Sequence, residues 1–372
     1  MKPIGEKLKN FQKLLKKQNI GAFAVLDAPS VNYLADFRVS ERQGEAYLLV
    51  TPSRAFCFTK ELFAINLRTA TPFLKIIISL NVADIAAKVK ELKIKNAAFD
   101  PGLIEYIPGN LLKKAGFKEK AGLISLAREV KLPGEIAKIQ KACHISAKTY
   151  EIFRRRLKTG MTELEAAHML EDIMSSFGGE GLSFPTIMAF GPNGSNPHHV
   201  NTSRKLNAED AVLIDYGCKY RGYCSDITRS FWHGKKPAAE FERIFKIIKA
   251  AHDKALKAAK PGMTGEQLDA VCRDYIEASS GLSKHFIHTT GHGLGMQVHE
   301  APRIGAGSRQ ILREGSIFTI EPGLYFEGKL GLRYENTVLL TKSGAKILTD
   351  GRRSPDARHC EAARDAAAAI HN

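Results

Sequence analysis

One short motif occurs twice in this sequence and constrains the fold more than any other feature. The segment KTGMT at 158–162 recurs as KPGMT at 260–264, a shift of 102 residues between Lys158 and Lys260. Apolar residues at helical spacing flank both copies and predict amphipathic helices at 134–157, 162–176, 237–259 and 265–279. The same turn between two helices, used twice, predicts two similar halves in this part of the chain.

The shift also relates residues downstream of the motif. It maps Phe184 onto Phe286, and it brings His198 to within one residue of His299. Strand-like segments follow each helix pair, at 211–217 and 223–232 in the first half and at 316–326 and 330–341 in the second. Each pair of segments flanks a short turn and predicts an antiparallel hairpin. A binding cleft between the two halves is the expected consequence.

The first third of the chain has a different pattern and predicts a separate mixed α/β domain. Helical spacing of apolar residues indicates helices at 4–18 and 82–93. Short apolar runs predict strands at 21–26, 45–51, 54–59, 74–80 and 96–100. A length of 372 residues allows two domains. We place them at 1–123 and 124–350, and the Arg/Ala-rich stretch 351–372 is expected to be a disordered tail or an addition to the natural chain.

Composition and charge exclude several classes of protein. No apolar run reaches the ~18 residues of a membrane span, and the N-terminus lacks the apolar core of a signal peptide. The six cysteines are scattered without a CxxC pair, which indicates a cytoplasmic protein without disulfides. The net charge of +16 lies largely on lysines of predicted helix faces, without the aromatic interleaving of a nucleic-acid surface. We therefore expect neither a membrane nor a nucleic acid as partner.

Four acidic residues lie on the two predicted hairpins. Asp215 and Asp226 are equidistant from a turn centred between Tyr220 and Arg221, so they are expected to lie directly opposite one another and to share a face. Glu321 and Glu335 occupy the two strands of the second hairpin. Facing carboxylates repel, and a glutamate in so apolar a strand is costly unless it is paired or bound to a metal.

Three histidines in a glycine-rich segment complete the candidate site. The segment HTTGHGLGMQVHE contains His288, His292 and His299, and glycines flank His292 on both sides. Four carboxylates and one imidazole form an oxygen-rich donor set, which favours Mn²⁺, Co²⁺, Fe²⁺ or Mg²⁺ over a structural zinc ion. Two divalent ions would balance four carboxylates. The sequence has no HExxH, GxSxG or P-loop motif, and GHGLG lacks the spacing of a dinucleotide-binding loop.

The ordered series Asp215, Asp226, His292, Glu321 and Glu335 resembles the five metal ligands of the pita-bread (M24) metallopeptidases, which include methionine aminopeptidase, aminopeptidase P and prolidase. The surrounding segments DYGCKYRGYCSDITRS, TTGHGLGMQVHE, TIEPGLY and LRYENTVLLT are also similar to the family. The resemblance covers about 130–348. Residues 1–123, with NYLADFR at 32–38, resemble a creatinase-type N-terminal domain, which favours the proline-specific branch. The implied fold is α/β: this N-terminal α/β domain followed by a pita-bread α+β domain with an internal pseudo-two-fold repeat.

The resemblance also implies roles for residues outside the ligand set. His198 resembles the histidine that contacts substrate in the cleft, and it is preferred to His199 because it follows Pro197 directly. His299 resembles a substrate-side histidine. Further residues are implied around the substrate and behind the metals: His288, Arg333, Arg303 and Tyr325. Arg333 resembles the arginine of an R-x-E pattern that orients Glu335. Arg303 resembles an arginine linked to the carboxylate end of the substrate. Tyr325 resembles a residue of the pocket wall. Tyr334 and Asn336 depart from the commoner Ile and Asp, so contacts behind Glu335 are expected to differ.

The function implied is hydrolysis of Xaa-Pro peptide bonds, by an aminopeptidase P or a prolidase. Two divalent ions, Mn²⁺ or Co²⁺ first and Fe²⁺ or Zn²⁺ as alternatives, would activate a bridging water, with Glu321, His198 and His299 as catalytic residues. The implied partners are a peptide with proline at its second position and a second copy of the chain in a homodimer. Three alternatives stay open: a creatinase-like amidinohydrolase that uses no metal, a binding protein of the same fold, and a nucleic-acid-binding role of the basic N-terminal domain.

Overall fold

A six-stranded mixed sheet organises the N-terminal unit. The structure, a computed structural model, describes residues 5–38 and 44–350, and the predicted tail at 351–372 lies outside them. The strands of the sheet are β1 (Ala22–Val25), β2 (Ala46–Val50), β3 (Ala55–Thr59), β4 (Lys75–Ile78), β5 (Ala97–Phe99) and β6 (Lys118–Glu119). Their order is β4-β3-β2-β1-β5-β6, with β1, β2 and β3 antiparallel and the outer pairs parallel.

Helices flank this sheet and complete its core. They are α1 (Glu6–Lys17), α2 (Ala28–Ala35), α3 (Glu61–Ala70), α4 (Val82–Glu91), α5 (Tyr106–Lys114) and α6 (Leu123–Glu129). The core contains Leu49, Phe58, Ile85 and Phe99, all at most 2% exposed. The predicted strands and the helices predicted at 4–18 and 82–93 are confirmed, whereas α2, α3, α5, α6 and β6 had no sequence prediction. The unit ends at Arg128 and the next begins at Glu129.

The second unit has two helix pairs and a set of antiparallel strands. The helices are α7 (Pro133–Arg156), α8 (Glu163–Ser176), α9 (Ala239–Ala258) and α10 (Gly265–Ser280). The strands of the first half are β7 (Ile187–Phe190), β8 (Asp210–Tyr216), β9 (Lys219–Tyr220), β10 (Tyr223–Cys224) and β11 (Ile227–His233). Those of the second half are β12 (Gly291–Gly293), β13 (Glu300–Ile304), β14 (Ile317–Ile320), β15 (Gly323–Phe326), β16 (Leu330–Arg333), β17 (Asn336–Thr341) and β18 (Gly344–Ile347).

The repeated motif forms the same local structure in both halves. Thr162 and Thr264 each cap the helix that follows, and each accepts a hydrogen bond from a backbone N–H three residues on. Gly160 and Gly262 both have positive φ, +89° and +93°, which glycine adopts without the penalty of a side chain. Each of these glycines donates to the carbonyl of a buried leucine at 2.9 Å, Leu206 in the first half and Leu312 in the second. The predicted internal repeat is therefore present.

The strands of these halves form two larger sheets and two two-stranded pairs, β9 with β10 and β15 with β16. β11, β8 and β7 form a three-stranded sheet, and β13, β12, β14, β17 and β18 form a five-stranded sheet in that order. The hydrophobic core of the second half packs α9 and α10 against these strands, with Ile248, Leu268, Phe318 and Val338 fully buried. Among the described residues, no helix is long and apolar enough to cross a membrane.

The register of the first hairpin differs from the sequence prediction. Asp215 lies opposite Thr228 and not opposite Asp226. The predicted turn centre was wrong by one residue, because Arg221 and Gly222, with φ of +48° and +77°, form the tight two-residue turn. A shift of one in the turn moves the register by two, and a shift of two preserves the face. Asp226 is therefore a diagonal neighbour of Asp215 on the same face.

Removal of the second capping hydroxyl tests whether both copies of the motif stabilise the unit. Thr264→Ala loses the hydrogen bond from the Gln267 N–H and is expected to lower the free energy of unfolding by about 1 kcal/mol. Urea unfolding followed by circular dichroism measures the change. Thr264→Ser keeps the hydroxyl and serves as the control. Equal stability of the Ala and Ser variants would contradict a capping role for this residue.

Candidate metal centre

Two strand ribbons bring four carboxylates together. Asp215 lies near the end of β8, and Asp226 comes directly before β11. Glu321 directly follows β14, and Glu335 directly precedes β17. Both lie where the β14/β17 pairing ends and the β15/β16 pairing begins. The sequence predicted them within continuous strands, and the structure places them between strands. The backbone N–H of Glu335 donates to the carbonyl of Thr228 at 3.2 Å, which links the second ribbon to the first at the residue opposite Asp215.

His292 directs a free ring nitrogen at these carboxylates. Its Nδ1 lies 3.2 Å from the carbonyl oxygen of Gly293 and donates to it, which leaves Nε2 as the lone-pair nitrogen. Nε2 is 3.4 Å from Glu321 Oε1 and 3.6 Å from Asp226 Oδ2. One donor atom each of Asp226, His292 and Glu335 lies within 4.8 Å of the other two. This arrangement offers a cation one nitrogen donor and several oxygen donors.

Two buried oxygens at the centre have no hydrogen-bond partner. They are Oδ1 of Asp215 and Oε1 of Glu335. A buried carboxylate oxygen without a donor carries a large desolvation cost, which a bound cation removes. Burial and the neighbouring carboxylates raise the pKa of Asp226 and of Glu335 well above their usual range. The donor set therefore fits divalent cations, whose charge would hold all four groups ionised.

Arg333 holds part of this centre in place. Its Nη2 donates to Asp215 Oδ2 at 2.5 Å, and its Nε donates to the Thr228 hydroxyl at 2.9 Å. That hydroxyl donates in turn to Glu335 Oε2 at 2.7 Å. The guanidinium thus orients Asp215 directly and Glu335 through Thr228, and it leaves one oxygen of each carboxylate for another partner.

Tyr325 lies behind Arg333 and does not line the cavity, which is a correction of the sequence prediction. Its hydroxyl accepts from Arg333 Nη1 at 2.8 Å and donates to His288 Nε2 at 2.9 Å. Burial raises the pKa of Tyr325 to about 12 and lowers that of His288 to about 4, so both groups are neutral near pH 7. His288 Nδ1 is 3.9 Å from Glu321 Oε2, which places this imidazole beside the carboxylate cluster.

A cavity of about 550 Å³ opens over the centre. Its walls include all five predicted ligands together with His198, His288, His299 and Arg333. The wall from the first half is largely apolar, with Leu164, Phe184 and Val200 among its residues. The ring of His299 lies 4.3 Å from that of His292, between centroids. The structure therefore brings together the carboxylates and the histidines that the sequence singled out.

Arg303 is placed elsewhere. It lies on β13 opposite His292, but its side chain is exposed and Nη1 donates to the carbonyl of Ala306 at 2.8 Å. It is not among the residues that line the cavity. A register bulge after His292 interrupts the pairing of β12 and β13, and the guanidinium packs over Gly305. The structure therefore places the Arg303 side chain outside the cavity lining, and its contact with a substrate carboxylate stays a prediction.

Tyr334 and Asn336, the residues on either side of Glu335 that depart from the commoner Ile and Asp, have partners of their own. The Arg229 guanidinium donates to the main-chain oxygen of Glu335 and to Asn336 Oδ1, and it lies 4.9 Å from the ring centroid of Tyr334. Asn336 Nδ2 donates to His252 Nε2 at 3.0 Å. The contacts behind Glu335 are thus made by the Arg229 guanidinium, the Asn336 amide and the imidazole of His252, whose pKa burial lowers to about 4, and Glu335 keeps its place in the cluster.

Several supporting residues had no sequence prediction. The Thr319 hydroxyl donates to Glu321 Oε1 at 2.9 Å and accepts from the His292 N–H at 3.0 Å, so it joins two of the candidate ligands. Thr319 lies two residues before Glu321, and Thr228 two residues after Asp226. A polar residue two positions from a candidate ligand on a strand shares its face, and that spacing is the signal that could have identified both.

Comparison with known proteins identifies the relatives of the chain. The model of metallopeptidase family M24 matches residues 137–342, and that of the Creatinase/Prolidase N-terminal domain matches 7–131. The chain is 34% identical to an Xaa-Pro dipeptidase of Pyrococcus horikoshii, over 94% of this chain and 98% of the relative. An Xaa-Pro dipeptidase structure from Bacillus anthracis matches with a TM-score of 0.86 at 28% identity, covering 94% and 98% of the two chains. An X-Pro aminopeptidase structure from Thermotoga maritima matches with a TM-score of 0.83 at 31% identity, covering 93% and 98%.

Added manganese is expected to raise the melting temperature of the protein, because a ligand at a hundredfold excess over its Kd stabilises the folded state by about 2.7 kcal/mol. Glu335→Gln removes a ligand oxygen and is expected to abolish most of this rise. Differential scanning fluorimetry with and without Mn²⁺ or Co²⁺ measures the effect. Glu327→Gln changes an exposed carboxylate at the β15–β16 turn and keeps the rise. An equal rise in both variants would place the metal elsewhere.

Proposed function

The chain belongs to metallopeptidase family M24 and is a metal-dependent peptidase, and from this premise we propose that it hydrolyses Xaa-Pro peptide bonds. The observation that carries the proposal is the convergence of Asp215, Asp226, His292 and Glu335 beside Glu321, with orphaned carboxylate oxygens at its centre. The N-terminal domain of Creatinase/Prolidase type supports the proline-specific branch, since the relatives that align over more than nine-tenths of this chain include proteins named Xaa-Pro dipeptidase and X-Pro aminopeptidase.

The metal chemistry is proposed from the charge of the donor set. Asp215, Asp226, Glu321, Glu335 and His292 would hold two divalent ions, Mn²⁺ or Co²⁺ first and Fe²⁺ or Zn²⁺ as alternatives. When bound, such ions supply a water-derived nucleophile at neutral pH and polarise a carbonyl group. Arg333 prepares the site for them, because it fixes one oxygen of Asp215 and leaves the other unbonded.

Glu321 is proposed as the group that moves the proton. Thr319 donates to its Oε1, and its Oε2 has the neutral His288 as neighbour. It lines the cavity, so its carboxylate is accessible to a bound peptide. Glu321 would accept the proton of the attacking water and return it to the proline nitrogen as the C–N bond breaks, which balances the reaction without a further acid.

His198 and His299 are proposed to stabilise the oxygen that becomes negative at the scissile carbonyl. Both have exposed side chains on the cavity wall, and burial lowers the pKa of His299. An N–H donor aimed at the developing oxyanion lowers the barrier more than it stabilises the substrate. Arg303 and Tyr325 have no place in this scheme, because neither reaches the cavity.

We further propose a homodimer that works in the cytoplasm. The five cysteines among the described residues are all buried and free, which suits a reducing compartment. Size-exclusion chromatography with light scattering tests the dimer.

Loss of the proposed proton carrier is expected to stop turnover without removing the fold. Glu321→Gln should lower kcat on an Xaa-Pro substrate by about 10²–10⁴-fold, the range for general acid–base catalysis. The release of the N-terminal residue in the presence of Mn²⁺ or Co²⁺ is the measurement, and Glu327→Gln is the matched control. Wild-type protein that binds metal but releases no residue would reject the peptidase proposal and favour a binding protein of the same fold.

Substrate length decides between the two peptidase types. We expect cleavage of both an Xaa-Pro dipeptide and an Xaa-Pro-Yaa tripeptide, because the cavity of about 550 Å³ is large enough for either. The ratio of kcat/KM for the matched pair Ala-Pro and Ala-Pro-Ala measures the preference. A peptide with alanine at the second position is the control, and its cleavage at the same rate would contradict proline specificity.

A further inference from the structure

We propose that two buried carboxylates, Glu163 and Asp269, are positioning residues that aim a histidine of each half into the cavity. Glu163 would position His198, and Asp269 would position His292. The role of Glu163 rests on the proposed function, because His198 acts on the substrate. The role of Asp269 concerns metal binding and can be tested without any substrate.

Glu163 is the first residue of α8, and its side chain is fully buried. Oε1 accepts from the backbone N–H of Phe190 at 2.9 Å and from Asn193 Nδ2 at 2.8 Å. Oε2 accepts from His199 Nε2 at 2.7 Å, and from the N–H and hydroxyl of Thr202 at 2.9 and 2.7 Å. One carboxylate therefore joins the start, middle and end of the segment 190–202.

His198 lies within this segment and owes its position to it. The Glu163 partners Asn193, His199 and Thr202 lie on both sides of His198, whose own side chain is exposed toward the cavity. His199 also borders the cavity, but its Nε2 is bound to Glu163 at 2.7 Å, so His198 is the one of the two adjacent histidines whose ring is not held by that carboxylate. A loop fixed at several points presents His198 in one position, as a catalytic group requires.

Asp269 makes the corresponding contacts in the second half. It is buried on α10, and Oδ1 accepts from the N–H and the hydroxyl of Thr290 at 3.0 and 2.8 Å. Oδ2 accepts from Arg273 Nε at 2.7 Å. Thr290 lies two residues before His292, and its carbonyl accepts from the Glu321 N–H at 2.8 Å. Asp269 thus holds the residue that fixes the backbone of two candidate ligands.

Glu163 and Asp269 make equivalent contacts, but they do not occupy equivalent positions of the sequence repeat. Both come from the second helix of a half, and both bind the N–H and hydroxyl of a threonine. The shift of the repeat places Gly265 at the position of Glu163, and a Cβ there would lie 2.1 Å from the carbonyl of Arg303. Because no side chain fits at position 265, the corresponding carboxylate of the second half is that of Asp269, one helical turn later.

Amide variants separate the two roles. A glutamine at 163 or an asparagine at 269 keeps the shape but replaces one acceptor oxygen with an N–H₂ group that faces donors. For Glu163→Gln we expect kcat on an Xaa-Pro peptide to fall about tenfold or more, with KM and the Mn²⁺ affinity within about twofold. For Asp269→Asn we expect the Mn²⁺ affinity, measured by calorimetry without substrate, to fall about tenfold or more.

Matched controls and milder variants keep the test decisive. Glu165→Gln and Asp274→Asn change exposed carboxylates of α8 and α10 and should leave kcat and Mn²⁺ affinity unchanged. If an amide variant does not fold, Thr202→Val or Thr290→Val removes only the hydroxyl donor, and each should shift the same readout in the same direction. Hydrogen exchange gives a readout that needs no activity, and Glu163→Gln should speed exchange within 190–202 only.

The outcomes distinguish this proposal from the peptidase proposal. If the wild-type protein cleaves no Xaa-Pro peptide, the peptidase proposal fails, while calorimetry and hydrogen exchange still decide the positioning roles. Unchanged Mn²⁺ affinity in Asp269→Asn overturns the role of Asp269. Unchanged kcat or unchanged exchange at 190–202 in Glu163→Gln overturns the role of Glu163. A loss in Glu165→Gln or Asp274→Asn as large as in the buried variants would show general helix destabilisation and overturn both.

Discussion

The second unit, which begins at Glu129, depends on one constraint. This constraint is the repulsion among carboxylates that are gathered in one buried space. Asp226 and Glu335 are almost completely buried, and their raised pKa values express the cost of charging them together. Arg333 offsets part of that charge through Asp215, but it leaves two carboxylate oxygens without a donor. A cation is the remaining way to keep four ionised groups in contact. The hydroxyl of Thr228 and the two strand ribbons hold the groups in place so that they cannot separate.

The periodicity of strands made most of this centre predictable from the sequence. Alternate residues on a strand share a face, so acids at matching positions of a hairpin still converge when the register shifts by two residues. The predicted register of Asp215 and Asp226 was wrong by two residues, and the convergence survived because two is the strand period. The turn itself was not predictable to one residue, since Arg221 has a positive φ that non-glycine residues seldom adopt. The strands β1 to β5 were predicted from a different signal, the short apolar runs of the first third of the chain.

Contacts that depend on side-chain direction could not be predicted from the sequence. The register places Arg303 opposite His292 on the neighbouring strand. A bulge after His292 and the small Gly305 nevertheless let the Arg303 guanidinium pack against its own chain, where it donates to the carbonyl of Ala306. Tyr325 was placed on the cavity wall, whereas its hydroxyl fills the space behind Arg333. The partners of Glu163 lie 27 to 39 residues away along the chain, and no local pattern marks them. Short helices such as α2 have too few turns to show a period.

The two halves show how a repeated frame can support different chemistry. The motif with Gly160 and Gly262 fixes the same helix–turn–helix geometry twice, with matching caps and matching backbone hydrogen bonds. Within that frame the side chains differ, so that the first half offers Asp215, Asp226, His198 and an apolar wall, while the second half offers His292 and two glutamates. A cleft lined by identical halves would bind a symmetric ligand. A peptide bond is polar and directional, so its hydrolysis needs a cleft whose two sides differ. Both halves contribute two carboxylates here, but the candidate imidazole ligand His292 comes from the second half and the apolar wall from the first. Divergence inside a conserved frame supplies that asymmetry without changing the fold.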